Sequence, residues 1–163
     1  MARSILRKFP IGVQSFKKIR DNQFLYVDKT ALVYELANSG GSYFLSRPRR
    51  FGKSLLISTF EAYFKGQKEL FEGLAIEQLE KDWITYPVLH IDLNAEKFDA
   101  PEQLDALLSN QLTQWEEIYG KGEDETTLSL RFKGVIRRAA EQTGHPAVVL
   151  VDEYDKPLLQ SLH

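Results

Sequence analysis

Two short stretches carry residue types that could handle a polyphosphate: Gly52-Lys53-Ser54, and Asp152-Glu153 about one hundred residues later. The first matches the second half of the phosphate-binding pattern G-x-x-x-x-G-K-[ST], with Arg47 where the first glycine would stand. A glycine there lets the backbone turn so that successive N–H groups face a phosphate, and a helix starting at the next residue adds partial positive charge. Lys53 would reach the terminal phosphates, and the Ser54 hydroxyl would ligate Mg²⁺. Arg47, Arg49, Arg50 and Lys53 fall within seven positions, and no acid occurs from residue 40 to residue 60. The predicted nucleotide-binding stretch is therefore Arg49, Arg50, Phe51, Gly52, Lys53, Ser54 and Leu55, with Lys53 also catalytic. In the second stretch, Asp152 would hold the metal through its water shell and Glu153 would polarise the attacking water. A basic surface loop and a helix-capping carboxylate are the bland alternatives for the two motifs.

Such residues need rigid supports, and the periodicity supplies them. "FLYVD" reads as a short strand or extended segment, followed by Asp28 as N-cap of a helix with Leu32, Val33, Leu36 and Ala37 on one face. "SYFLS" is an apolar run of strand formers, and from Lys53 to Phe64 the pattern is apolar nearly all round, which predicts a buried helix that stops at Gly66. "LFEGLAIEQLEKDW" is amphipathic but short. "VLHIDLN" then suits a largely buried strand, and Asp99 with Glu102 would cap a helix striped by Leu104, Leu107, Leu108, Leu112, Trp115 and Ile118. Another helix carries Leu128, Phe132, Val135, Ile136 and Ala139, ends near Gly144, and leads into "AVVLV", which reads as a central strand. Strands apolar on both faces alternating with amphipathic helices predict an α/β fold, with a mostly parallel sheet between helical layers and ligands beyond the strands' carboxyl ends.

Bulk composition bounds the rest. With 163 residues, 43% hydrophobic and 27% charged, the chain has the make-up of one globular domain and no apolar stretch long enough to span a bilayer. Without cysteine there is no disulfide framework, thiolate metal site or cysteine nucleophile, and with no visible secretory signal the expected address is cytoplasmic. The net charge of -2 conceals six Lys or Arg and no acid in residues 1–20, against nine acids and two lysines in residues 96–125. Both runs read as solvated faces. His90, His145 and His163 have no zinc spacing. Asp92 and Asn94 end the middle strand, where orienting water competes with simple capping or exposure.

The blocks "GVQSFKKIRDNQFLYVDKT", "FLSRPRRFGKSLL", "LFEGLAI", "YPVLHIDLN" and "VVLVDEYDKPLL" together resemble the bacterial predicted AAA-ATPase-like family of P-loop proteins over nearly the whole chain. The resemblance implies that Gly52, Lys53 and Ser54 are the Walker A residues and Asp152 and Glu153 the Walker B pair, with ATP and Mg²⁺ as cofactors. It also implies a three-layer, additional-strand P-loop core whose Walker A strand is flanked by a sensor strand later in the sequence. On that basis residues 1–163 form the N-terminal part of one P-loop ATPase domain, truncated after the Walker B strand. Residues 1–41 would be an N-terminal extension and 42–163 the core. Phe16, Ile19, Tyr26 and Val27 are candidates for an adenine pocket, although aromatics there more often fill core. Relatives often carry a C-terminal nuclease-like domain, so nucleic acid is expected as a partner only through regions outside this chain.

Two other functions compete with ATP hydrolysis. A non-catalytic switch would use bound nucleotide to order a loop and present a partner surface. A nucleic-acid-binding domain would use Arg49, Arg50, Lys17 and Lys18 on phosphates, with Tyr43 and Phe51 for stacking. An uncovered sheet edge and apolar surface would favour self-association.

Overall fold

A computed structural model of the chain describes residues 7–46, 51–94 and 101–155. It is a mixed α/β structure that divides into two compact units, Met1–Ile84 and Thr85–His163.

The first unit is helical: α1 (Phe16–Asp21), α2 (Thr30–Ser39), α3 (Lys53–Phe64), a 3-10 turn at Lys68–Phe71 and α4 (Ile76–Leu79). Its core gathers Phe16, Val33, Ala62, Tyr63, Leu70, Phe71, Leu74 and Ile76. Phe16 packs against Phe71 at 4.8 Å and edge-on to Tyr26 at 5.3 Å between ring centroids. Asp28 was expected as the N-cap of α2; the cap position is Lys29 instead, and Asp28 acts one residue earlier through an Asx turn. Its Oδ1 accepts the Thr30 amide at 2.9 Å and its Oδ2 accepts the Ala75 amide at 2.7 Å. The Thr30 hydroxyl in turn accepts the Ile76 amide, so one Asx turn satisfies the start of α2 and the start of α4 together. Burial works against the charge of Asp28, but these hydrogen bonds prevail and hold its carboxyl below the usual range. Arg20 ties α1 down by donating to the Leu70 and Glu72 carbonyls.

Three further expectations for this unit need correction. Tyr43, Phe44 and Leu45 do not form a strand: no described strand pairs with them, and Tyr43 and Phe44 are 57% and 73% exposed. A run of strand formers has no sheet to join unless a neighbour presents its edge. Helix α3 is also less buried than its apolar sequence suggests. Only Thr59, Ala62 and Tyr63 are buried, while its first two turns are half-exposed. "FLYVD" is not a strand either, although the Leu25 amide bonds the Lys8 carbonyl at 2.8 Å.

The second unit is β1 (Val88–Asp92), α5 (Pro101–Tyr119), α6 (Leu128–Thr143) and β2 (Val148–Asp152). The strands pair in parallel, with Val88 beside Val148 and Asp92 beside Asp152. Leu89, Leu112, Trp115 and Val135 form the core beneath them. Gly144 closes α6 in the left-handed conformation at φ 71°, as its sequence position predicted, and Thr127 caps the other end through the Leu130 amide. The Asp99 cap lies outside the described residues. Ile118, assigned to the apolar stripe, is 66% exposed, and the stripe runs from Leu112 and Trp115 to Tyr119 instead. Strand β2 was expected to be central. Among the described residues it has one neighbour, and Val149 and Val151 remain 39% and 37% exposed.

Glu102, Asp105, Glu117, Glu123 and Asp124 of the acidic run are exposed, as its composition suggested, but Glu116 and Glu125 are not. Glu116 and Arg131 form a two-pronged pair at 2.7 and 2.8 Å across α5 and α6, with side chains 7% and 12% exposed. Arg131 also donates to Ser109 and Thr113. Glu125 is gripped by both terminal nitrogens of Arg138, which, with the Gly122 amide, holds its carboxyl down to about 2. Gly134 makes that grip feasible, since a Cβ at this position would land on the Glu125 carboxylate. Alanine at an ordinary helix position would stabilise by about 1 kcal/mol relative to glycine. We expect Gly134→Ala to destabilise by about 1–3 kcal/mol instead, read as a lower urea midpoint at unchanged m-value.

Candidate functional site

The Walker A stretch is set by local backbone geometry. Gly52 takes the left-handed conformation at φ 77°, ψ 21°, and α3 begins at the next residue. A Cβ at Gly52 would meet no atom within 4 Å, so the requirement for glycine is conformational and not one of space. The first helical hydrogen bond runs from the Leu56 amide to the Gly52 carbonyl at 2.9 Å, so the amides of Ser54 and Leu55 precede the helical ladder. No acid lies in the first turn of α3, and Gly52 has no side-chain cap to offer. Lys53, Ser54 and Leu55 are half-buried, whereas Phe51 is 62% exposed. Arg47, Arg49 and Arg50 lie outside the described residues.

Several turns on, the Ser58 hydroxyl accepts the Phe16 amide at 2.8 Å, fixing α3 against the start of α1. Phe16 and Ile19 have no exposed surface, which leaves neither able to touch a base; Tyr26 is half-buried and Val27 is 72% exposed.

In the second unit, Asp152 is the last residue of β2 and only 8% exposed. Its Oδ1 accepts the Glu153 amide at 2.9 Å, and its backbone carbonyl accepts the Leu93 amide at 3.1 Å. Glu153 follows at φ 55°, an uncommon conformation for a residue with a Cβ and one that costs about 1–2 kcal/mol. Its side chain is half-buried. Among the described residues neither Asp152 nor Glu153 has a cationic partner. The structure also places Asp92 beside Asp152, a pairing invisible to motif spacing and legible only once the strands are in register. His90 sits half-buried within β1, and the His145 ring lies 5.4 Å from that of Tyr86. No group of three or more metal-binding side chains occurs among the described residues, and no described helix is long and apolar enough to cross a membrane.

The model of a family described as "Predicted AAA-ATPase" matches residues 10–163. The chain belongs to the predicted AAA-ATPase family. A curated relative, the "Uncharacterized protein in vnfD 5'region" of Azotobacter chroococcum mcd 1, is 41% identical over 158 residues. That alignment covers 96% of this chain but 30% of the relative, so the chain spans under a third of that protein's length. No solved structure matches. The match extends from before α1 to beyond β2, so it includes both the Gly52-Lys53-Ser54 helix start and the Asp152-Glu153 strand end.

Proposed function

We propose that the chain is the Mg²⁺-dependent ATP-binding module of an AAA-like P-loop ATPase that in its complete form hydrolyses the terminal phosphate by water attack. The observation that carries this reading is the left-handed Gly52 at the start of an acid-free helix, followed at once by Lys53 and Ser54. Backbone amides at that turn suit an anion, and the family membership makes the anion a nucleotide.

In this reading Gly52, Ser54 and Leu55 present backbone amides to the phosphates, with Phe51 beside them and Arg49 and Arg50 adding positive charge. Lys53 binds the terminal phosphates and neutralises charge as the bond breaks. The donors fit Mg²⁺: a serine hydroxyl with no hydrogen-bond partner among the described residues, and a buried aspartate whose Oδ2 accepts no hydrogen bond. Both are the hard oxygen ligands this ion takes. When bound, the metal polarises the phosphate oxygens. Glu153 orients the attacking water and accepts its proton.

The same reading takes residues 1–163 as the N-terminal part of one P-loop ATPase domain, with a three-layer core completed by later strands. Tyr43, Phe44 and Leu45 become the Walker A strand once the sensor strand pairs with them. Tyr43, Phe44 and Leu45 are 57%, 73% and 39% exposed in the described structure, as apolar residues awaiting cover by further chain would be.

Melting the complete protein with Mg-ATP, Mg-GTP and Mg²⁺ alone tests the reading. Mg-ATP at 100 times its Kd should stabilise by about 2.7 kcal/mol and raise Tm, while Mg²⁺ alone should not. No shift with either nucleotide would overturn it.

A further inference from the structure

Helix α3 carries the phosphate-binding turn with little of its leading half inside the protein. Residues 53–58 are all half-buried, and Thr59 is the first buried residue along the helix. Leu55 and Leu56 pack against the core of the first unit, but apolar contact is non-directional and leaves a helix free to turn about its axis or slide along it. A hydrogen bond is directional and removes that freedom. These turns have such a tie: the Ser58 hydroxyl accepts the Phe16 amide at 2.8 Å, from a residue 42 positions away in the chain.

Both ends of that bond are firmly set. Phe16 is the first residue of α1, where the helix itself supplies its amides with no acceptor. Ser15, the N-cap, accepts the Lys18 amide, and the Phe16 amide goes to Ser58. The Phe16 ring has no exposed surface and packs against Phe71 and Tyr26, which makes it a fixed point of its unit. Ser58 stands four residues beyond Ser54, and residues four apart lie on the same helix face. The bond therefore anchors the face that carries the Ser54 hydroxyl, about 6 Å further along the axis.

We infer that Ser58 is a positioning residue for the phosphate-binding turn, holding α3 to α1 so that the amides of Ser54 and Leu55 and the Ser54 hydroxyl keep one place relative to the nucleotide. The inference rests on the proposed nucleotide site and deepens it, since it gives α1 a part in nucleotide binding that needs no contact with the base. Ser58 acts through the first turn of its own helix. A misplacement of about 1 Å in groups that orient a substrate can cost about 10²-fold, so a tie one turn away is close enough to matter.

The test compares the complete protein with its Ser58→Ala and Ser58→Thr variants. A fluorescent non-hydrolysable ATP analogue is titrated in Mg²⁺ well below the melting temperature of each variant, so that every molecule is folded and a loss of stability alone cannot change the affinity. Ser58→Ala leaves the Phe16 amide without its acceptor and should bind the analogue about 10- to 100-fold more weakly, while Ser58→Thr, which keeps the hydroxyl, should bind like the parent. Where the alanine variant does not fold, Ser58→Cys, a weaker acceptor of similar shape, is held to the same weakening. An alanine variant with a lowered Tm and parental affinity assigns Ser58 to the fold and overturns the inference. A folded threonine variant that binds as weakly as the alanine variant overturns the role of the hydroxyl. A parent that binds no analogue removes the nucleotide site itself, and the positioning role with it.

Discussion

Lys53→Ala is expected to lower phosphate release in the complete protein by about 10²- to 10³-fold and to abolish most of the Mg-ATP melting shift. The lysine is the first residue of α3, where the amide dipoles already place partial positive charge. A cation at that position is unfavourable by about 0.3–1 kcal/mol, and no acid in the first turn of the helix relieves it. Half-burial adds to the cost, since part of the side chain is removed from water. An ammonium at this helix start stands where a bound phosphate would meet it. The control is the melting temperature without nucleotide, which the alanine variant should leave near that of the parent. A variant that binds Mg-ATP as tightly as the parent would remove Lys53 from the site. One that melts lower without ligand would show that the lysine serves the fold.

How much of this was legible beforehand varies by element, for physical reasons. Helix α6 was clear because Leu128, Phe132, Val135, Ile136 and Ala139 keep helical spacing and Gly144 terminates it in the one conformation glycine adopts cheaply. Strands β1 and β2 were clear because short apolar runs bounded by Pro87 and Pro146 have few alternatives. The segment Tyr43–Leu45 has an equally strong strand signal and is not assigned as a strand, because strand propensity is a weak local preference that context overrides. The same limit applies to the exposed valines of β2, which read as central from composition and have one neighbour among the described residues.

The charged residues were the least legible. Glu116 with Arg131 and Glu125 with Arg138 lie 15 and 13 positions apart on different elements, a spacing that no helical period marks. The packing of α6 against α5 and against the loop between them brings these pairs together, so an acidic run that looked solvated contains two well-anchored side chains. At the candidate site the motif residues were legible and their setting was not. Gly52 could be assigned from its neighbours, but the pairing of Asp92 with Asp152 depends on strand register, which spacing along the chain does not encode.

Glu153→Gln should reduce phosphate release by about 10²- to 10⁴-fold while leaving the Mg-ATP melting shift intact. The substitution isolates charge unusually well. Glutamine has the same length, and at φ 55° it bears the same backbone strain of about 1–2 kcal/mol as the glutamate, so the folded structure has no separate reason to respond. The Glu153 amide that bonds Asp152 Oδ1 is likewise preserved, which keeps the neighbouring carboxylate in place. What is lost is the capacity to take a proton from water. Strain retained in a residue that has neither a cationic partner nor a glycine's freedom is more readily understood at a working site than in a passive turn. The experiment also separates catalysis from its closest rival. If phosphate release persists at the parental rate while nucleotide still stabilises the protein, Glu153 is not the base, and a nucleotide-operated switch becomes the better account of the same fold.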